Sequence, residues 1–266
     1  MGIRSHTSHL LDVTDLTKTF KGLHALEDVT VRVDTGEIMG VIGPNGAGKT
    51  TLLNCLTGYI MPTRGKIYLQ GKDITTLSMP VVTQLGIART FQNIRLFGAL
   101  SVLDNVLIAQ QLRTRFSLAE VFLGTSTFHR KEHALRDQAM EHLGFFGLED
   151  AADRLAANLP YGMQRRLEIA RALATAPKLL LLDEPAAGMN ISETDALHQM
   201  ILEVKRRFDL TIILVEHDMR LVMNMCDRIL VLNYGRVLAT DRPEAIRQNS
   251  EVIESYLGKS HHIAAS

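Results

Sequence analysis

Eight residues, Gly43 to Thr50, constrain this chain more than any others: they read GPNGAGKT and fit the phosphate-binding pattern G-x-x-x-x-G-K-[ST] without a substitution. Such a loop requires a strand before it and a helix after it. EIMGVIG (Glu37 to Gly43) is a short apolar strand pattern, and TTLLNCLTG (Thr50 to Gly58) continues as a helix, so the loop falls at a helix N-terminus, where anions bind. Glycine lets the chain turn sharply and aim successive backbone N–H groups at phosphate oxygens. The expected binding residues are therefore Gly43, Pro44, Asn45, Gly46, Ala47, Gly48, Lys49, Thr50 and Thr51. Lys49 brings positive charge for the β and γ phosphates, and the Thr50 hydroxyl can ligate Mg²⁺. The ligand this predicts is a nucleoside triphosphate.

The remaining sequence sets the frame around that loop. LDVTDLT (Leu11 to Thr17), VTVRV (Val29 to Val33) and KIYLQ (Lys66 to Gln70) alternate as half-buried antiparallel strands do. From Ser101 to about Ala176 helical spacing takes over, opening on Ser101 as an N-cap with Asp104 three residues on. Arg113 to Thr127 is the least regular piece. KLLLLDE (Lys178 to Glu184), TIILVEH (Thr211 to His217) and RILVLN (Arg228 to Asn233) are continuous apolar runs separated by helices, one from about Ser192 to Phe208 and one ending at Met225. Runs of that kind form a parallel sheet buried on both faces. The expected fold class is α/β: a P-loop NTPase core with a mixed or parallel sheet, an antiparallel β subdomain and an inserted helical subdomain. One domain over residues 10–258 is expected, with 10–91 and 177–258 as core, 92–176 as the helical insert, and fraying polar tails at 1–9 and 259–266.

Composition narrows the classes. Lys plus Arg and Asp plus Glu balance at 29 each, so no overall field draws the chain to nucleic acid. Cys55 and Cys226 read as buried fillers, which fits a reducing cytoplasm. No run of about eighteen apolar residues offers a membrane span, and MGIRSHTSHL lacks the apolar stretch of a secretory signal, so neither a span nor export is expected.

The chemistry gathers at one edge of the sheet. Leu179 to Leu182 lead into Asp183-Glu184-Pro185 at the C-terminal edge, where α/β sheets bind ligands. Asp183 is expected to hold Mg²⁺ through water and Glu184 to polarise the attacking water. His217 follows a second apolar strand to the same edge and can donate to the γ phosphate. Gln92, after the strand-like IARTF, can reach Mg²⁺ or the water.

VIGPNGAGKTTLLNCLTG, GIARTFQNIRLF, NLPYGMQRRLEIARAL, LLLLDEPAAGMN and TIILVEHDM together resemble the ATP-binding cassette (ABC) ATPases from about Leu11 to Gly258, closest to the ATPase subunit of bacterial branched-chain, or hydrophobic, amino acid importers. The resemblance implies ATP and Mg²⁺ as cofactors, with Phe20 stacking on adenine, Gln92 at the glutamine loop, Asp183 and Glu184 at the Walker B site, and His217 as the switch histidine. It also implies a homodimer or a heterodimer with a related ATPase, in which Gly162 of one chain closes over ATP on the other. Integral membrane permease subunits and an extracytoplasmic (periplasmic) binding protein complete the assembly, with this chain at the cytoplasmic face of the membrane.

Two departures stand out. The signature L-S-G-G-Q appears as Leu159-Pro160-Tyr161-Gly162-Met163, without the serine hydroxyl and the glutamine, although importer subunits of this type tend to carry a similar tyrosine-containing signature. A hydroxyl bond to a charged group contributes about 1.5 to 3 kcal/mol, while the helix-start N–H groups and dipole remain. Asn190 stands where the family has an aspartate, and can still hydrogen-bond across an interface but cannot supply charge. Ile94, Leu96, Phe97 and Leu100 are either a docking surface for a permease helix or core of the insert. The alternatives are a nucleotide-binding structural partner in a heterodimer, the ATPase of a lipid or lipopolysaccharide exporter and, with no place for TIILVEH or the helical insert, a small-molecule kinase.

Overall fold

The computed structural model describes residues 9–112 and 126–257. Expectations for 1–8, for most of the irregular piece (113–125) and for 258–266, His261 and His262 included, fall outside the described residues. The chain opens with an antiparallel hairpin, β1 (His9–Phe20) and β2 (Leu23–Asp34), so His9 is strand rather than tail. Val29, Val31 and Val33 of β2 point inward while Thr30, Arg32 and Asp34 face out, the period-2 pattern of a half-buried strand. β3 (Ile38–Ile42) then enters the phosphate loop, which delivers helix α1 (Lys49–Leu56). β4 (Arg64–Leu69) and β5 (Lys72–Asp73) return to the hairpin and complete a four-stranded sheet in the order β2-β1-β4-β5.

Helix α2 (Met79–Leu85) leads into β6 (Ile87–Arg89), and the helical part follows as α3 (Val102–Gln111), α4 (Ser126–Phe145) and α5 (Tyr161–Ala174). Ser101 caps α3 as its sequence predicts: its hydroxyl accepts the Asp104 N–H at 3.0 Å. The chain then alternates through β7 (Leu179–Asp183), α6 (Ile191–Phe208), β8 (Thr211–Val215), α7 (Met219–Met225) and β9 (Arg228–Asn233). Beyond the last strand read from sequence come β10 (Arg236–Asp241), α8 (Pro243–Gln248) and α9 (Ser250–Leu257).

The second sheet has six strands in the order β10-β9-β3-β8-β7-β6. Only β10 runs antiparallel to its neighbour. Every residue of β3, β7 and β8 is buried, which is why these strands read as unbroken apolar runs. The pleat sorts their side chains into two cores. Leu180, Leu182, Ile212 and Leu214 join the layer packed with helices, whereas Leu179, Leu181, Ile213 and Val215 join α1 and the antiparallel sheet. Each such side chain stabilises the fold by about 1.5–3 kcal/mol. Cys55 and Cys226 are free and buried, and burial pushes their thiols up to about 11 and about 12. They act as filler.

Candidate nucleotide site at the sheet edge

The phosphate loop is pinned by main chain on both sides. A Cβ on Gly43 would run into the Leu232 carbonyl at the end of β9, and a Cβ on Gly48 (φ 105°) would lie 2.6 Å from the Ala25 carbonyl of β2. Only glycine allows so close an approach. Ala47 is buried and its carbonyl accepts the Gly235 N–H at 3.0 Å, whereas Asn45, Gly46 and Thr50 are exposed along the outer rim and Pro44 and Thr51 are half-buried. The Lys49 ammonium reaches back over the loop to the Gly43 and Pro44 carbonyls at 2.7 and 3.1 Å. Burial lowers the Lys49 pKa, and Glu184 and then Asp183 pull it back up. The loop lysine and the two carboxylates therefore share one field. Phe20 lies at the tip of the hairpin that packs on Gly48. It is 46% exposed, and the Lys18 ammonium lies over its ring, 5.0 Å from the centroid.

The carboxylates are held by neighbours on adjacent strands. Asp183 ends β7, and its Oδ2 accepts Arg89 Nη2 at 2.7 Å; the other arm of that guanidinium donates to Asn54 Oδ1 of α1 at 2.6 Å. Both charged side chains are buried. Glu184 adopts a left-handed conformation, φ 49°, of the kind that costs energy and concentrates at functional sites. Its Oε2 accepts Gln92 Nε2 at 2.7 Å, and its Oε1 lies 2.6 Å from His217 Nε2. Chain segments following β6, β7 and β8 thus bring three predicted residues together, with Gln92 and His217 both on the Glu184 carboxylate. Glu216 supports the arrangement from beneath, accepting the Ala186 N–H at 3.1 Å and the His217 N–H at 3.2 Å. Burial raises its pKa.

Gly162 lies elsewhere, as the second residue of α5. Pro160 is the N-cap of that helix and not part of its first turn, with φ −54° and ψ 150°. Within one chain Gly162 makes no hydrogen bond to Lys49, Asp183 or Glu184 among the described residues. Asn190 is committed to its own helix: its side chain accepts the Glu193 N–H at 2.9 Å while Glu193 accepts the Asn190 N–H at 3.0 Å. Of the apolar set near the glutamine loop, Phe97 is 49% exposed under the Arg171 guanidinium, while Leu96 packs on the core and Ile94 and Leu100 are half-buried.

Sequence reasoning missed Arg89, Asn54, Glu216 and the buried pair Arg165 and Glu168, whose charges meet at 2.9 Å. A signal existed for some of them. Arg89 is a charge inside an apolar strand, and Arg165 and Glu168 stand three apart on one helix face.

The ABC transporter family matches residues 26–187. The chain belongs to that family. A second family, the branched-chain amino acid ATP-binding cassette transporters, matches 236–262 of this ABC protein. It is 45% identical over 251 residues to the high-affinity branched-chain amino acid transport ATP-binding protein LivG of Escherichia coli K12, covering 94% of this chain and 98% of that one. It is 46% identical over 253 residues to BraF of Pseudomonas aeruginosa, with the same coverage. The ADP conformation of MJ1267, an ATP-binding cassette of an ABC transporter, superposes with a TM-score of 0.81 at 31% identity, covering 94% of this chain and 99% of that one. The α/β arrangement with a mixed sheet and an antiparallel sheet is thus the P-loop fold of the ABC cassettes, and the chain is an ATP-binding, ATP-hydrolysing transporter ATPase. No helix among the described residues is long and apolar enough to cross a membrane.

Proposed function

We propose that this ABC ATPase drives import of branched-chain or other hydrophobic amino acids from the cytoplasmic face of the membrane. It does so as a dimer with itself or a related cassette, bound to two permease subunits that receive substrate from an external binding protein. The observation that carries the catalytic reading is the clamp on Glu184, a carboxylate fixed by Gln92 and His217 beside the field of Lys49. The substrate class rests on the likeness to LivG and BraF. A related cassette has been seen as a dimer bound to ADP and Pi, at 26% identity to this chain, which supports the paired arrangement.

The adenine ring stacks on Phe20, and the phosphates lie along the N–H groups from Gly43 to Thr51. Lys49 then trades its bonds to the loop carbonyls for the β and γ oxygens. Thr50, Gln92 and Asp183 offer the hard oxygen donors that Mg²⁺ takes beside substrate phosphates. Asp183 Oδ2 is engaged by Arg89, which leaves Oδ1 to act through water, so this donor set fits. Held by these residues, Mg²⁺ would supply positive charge to the phosphates. Glu184 orients the attacking water and accepts its proton, while His217 turns to the γ phosphate. The backbone N–H groups around Gly162 of the second chain close the site over that phosphate, so turnover requires the dimer.

The test is the complex reconstituted in vesicles with its permeases and binding protein. Leucine-loaded binding protein should stimulate ATP turnover, and Glu184→Gln in this chain should lower turnover by about 10² to 10⁴, the span of a positioned base. The Pro160-Tyr161 signature favours one other reading, a structural partner whose sister chain does the hydrolysis. Turnover unchanged by Glu184→Gln selects that reading.

A further inference from the structure

Tyr161 occupies the position of the first signature glycine, yet its hydroxyl points back into its own chain. It donates to the Ala187 carbonyl at 2.8 Å and accepts Arg165 Nη2 at 3.0 Å. Its ring lies 3.6 Å from where a Cβ on Gly188 would stand. The same Arg165 nitrogen donates to the Gln92 carbonyl at 2.7 Å, while Nη1 holds the Phe91 carbonyl at 2.7 Å and Glu168 at 2.9 Å. Glu168 in turn accepts the Phe91 and Arg95 N–H groups, both at 3.3 Å.

These bonds close a ring. The Gln92 side chain donates to Glu184; the Glu184 carbonyl accepts the Ala187 N–H at 3.1 Å; the Ala187 carbonyl accepts Tyr161; Arg165 joins Tyr161 to the Gln92 backbone. Arg165 is fully buried and paired, so it serves as a fixed post. Tyr161 is the member that ties that post to the turn after Glu184.

We propose that the Tyr161 hydroxyl is a positioning group for hydrolysis, holding the Glu184 turn and the Gln92 loop in one register with the start of α5. The inference rests on the ATPase reading above. It makes the tyrosine in this signature an intrachain strut and not a substitute for the missing serine contact to the opposite nucleotide. The hydroxyl has two bonds, one to the neutral Ala187 carbonyl and one from the Arg165 guanidinium; at a site open to water, Tyr161 being 45% exposed, their loss sets the size of the effect at roughly three- to tenfold.

The test uses the full reconstituted complex and the variants Tyr161→Phe, Gln92→Ala and their combination. Tyr161→Phe keeps the ring on Gly188 and should lower kcat roughly three- to tenfold, with KM for ATP within about twofold. Because the strut acts through the glutamine loop, the double variant should be no slower than Gln92→Ala alone, since groups in one network are not additive. Unchanged kcat, a rise in KM alone, or losses that multiply would each overturn the strut. A wild-type complex that shows no magnesium-dependent turnover would instead overturn the ATPase reading beneath it.

Discussion

The phosphate loop and the start of α5 both present backbone N–H groups at a helix N-terminus, yet they are held in opposite ways. Main chain on either side confines the loop, with the Leu232 carbonyl against Gly43 and the Ala25 carbonyl against Gly48. Side chains hold the start of α5, and they reach far: Arg165 to a carbonyl 74 residues earlier, Tyr161 to one 26 residues later. A site shaped by backbone packing tolerates almost no change in its residues. A site held by long side chains can change its residues while keeping its helix start, as Pro160 and Tyr161 have done.

The largest expected effect tests the loop. Lys49→Ala removes the buried cation of the loop and should weaken ATP affinity of the isolated chain by about a hundredfold or more, read by calorimetric titration, with little change in stability. Retained affinity would mean that the backbone amides alone grip the ligand.

Next comes the post beneath α5. Arg165 and Glu168 are fully buried partners, and Arg165→Met leaves Glu168 buried without its ion pair, its charge met by the weaker Phe91 and Arg95 N–H bonds. Breaking a buried pair costs about 3–5 kcal/mol, which urea unfolding measures. Arg165→Met combined with Glu168→Met should recover much of the loss, because the stranded charge is gone. A single-variant cost below about 1 kcal/mol would erase the contrast between the two sites.

That contrast also explains what could be read from sequence. GPNGAGKT was legible because its glycines answer to local backbone needs, and KLLLLDE and TIILVEH because burial on both faces leaves only apolar residues. Glu184, Gln92 and His217 were each findable at a strand end, but their meeting on one carboxylate depends on the strand order β3-β8-β7-β6, which no local pattern encodes. Arg89 and Arg165 were passed over because their meaning lies in partners far along the chain, Asp183 and the carbonyls of Phe91 and Gln92. β10 and α8 escaped for another reason. They cover the sheet's rim with half-exposed residues, where periodicity is weakest.

A smaller effect concerns Asn190. The family resemblance leaves it able to hydrogen-bond across an interface, yet its side chain already closes a capping box with Glu193. Asn190→Ala should cost about 1 kcal/mol in thermal unfolding of the single chain. Asn190→Asp should restore the cap and add favourable charge at the helix start. A loss seen only in the dimer would return Asn190 to the interface.

The smallest effect tests the helical part far from the nucleotide. His142, in the last turn of α4, is buried against Phe208, with ring centroids 5.6 Å apart, and its Nδ1 has no hydrogen-bond partner among the described residues. Burial lowers its pKa from the ordinary 6.5; nearby Glu141 opposes this and Arg207 adds to it. A histidine depressed in the folded state binds its proton more readily once unfolded, so its stabilisation is present above pH 6.5 and fades as pH falls through that value toward the folded pKa. His198, depressed by burial as well, adds to the same slope. His142→Leu should therefore flatten, without abolishing, the fall in Tm between pH 7 and pH 5.5, by about one to two degrees at pH 6. Nucleotide affinity across that range should keep its wild-type profile, because among the described residues His142 makes no hydrogen bond or ring contact with the loop. If affinity follows the altered stability, the helical part and the phosphate loop are coupled more tightly than their separate supports imply.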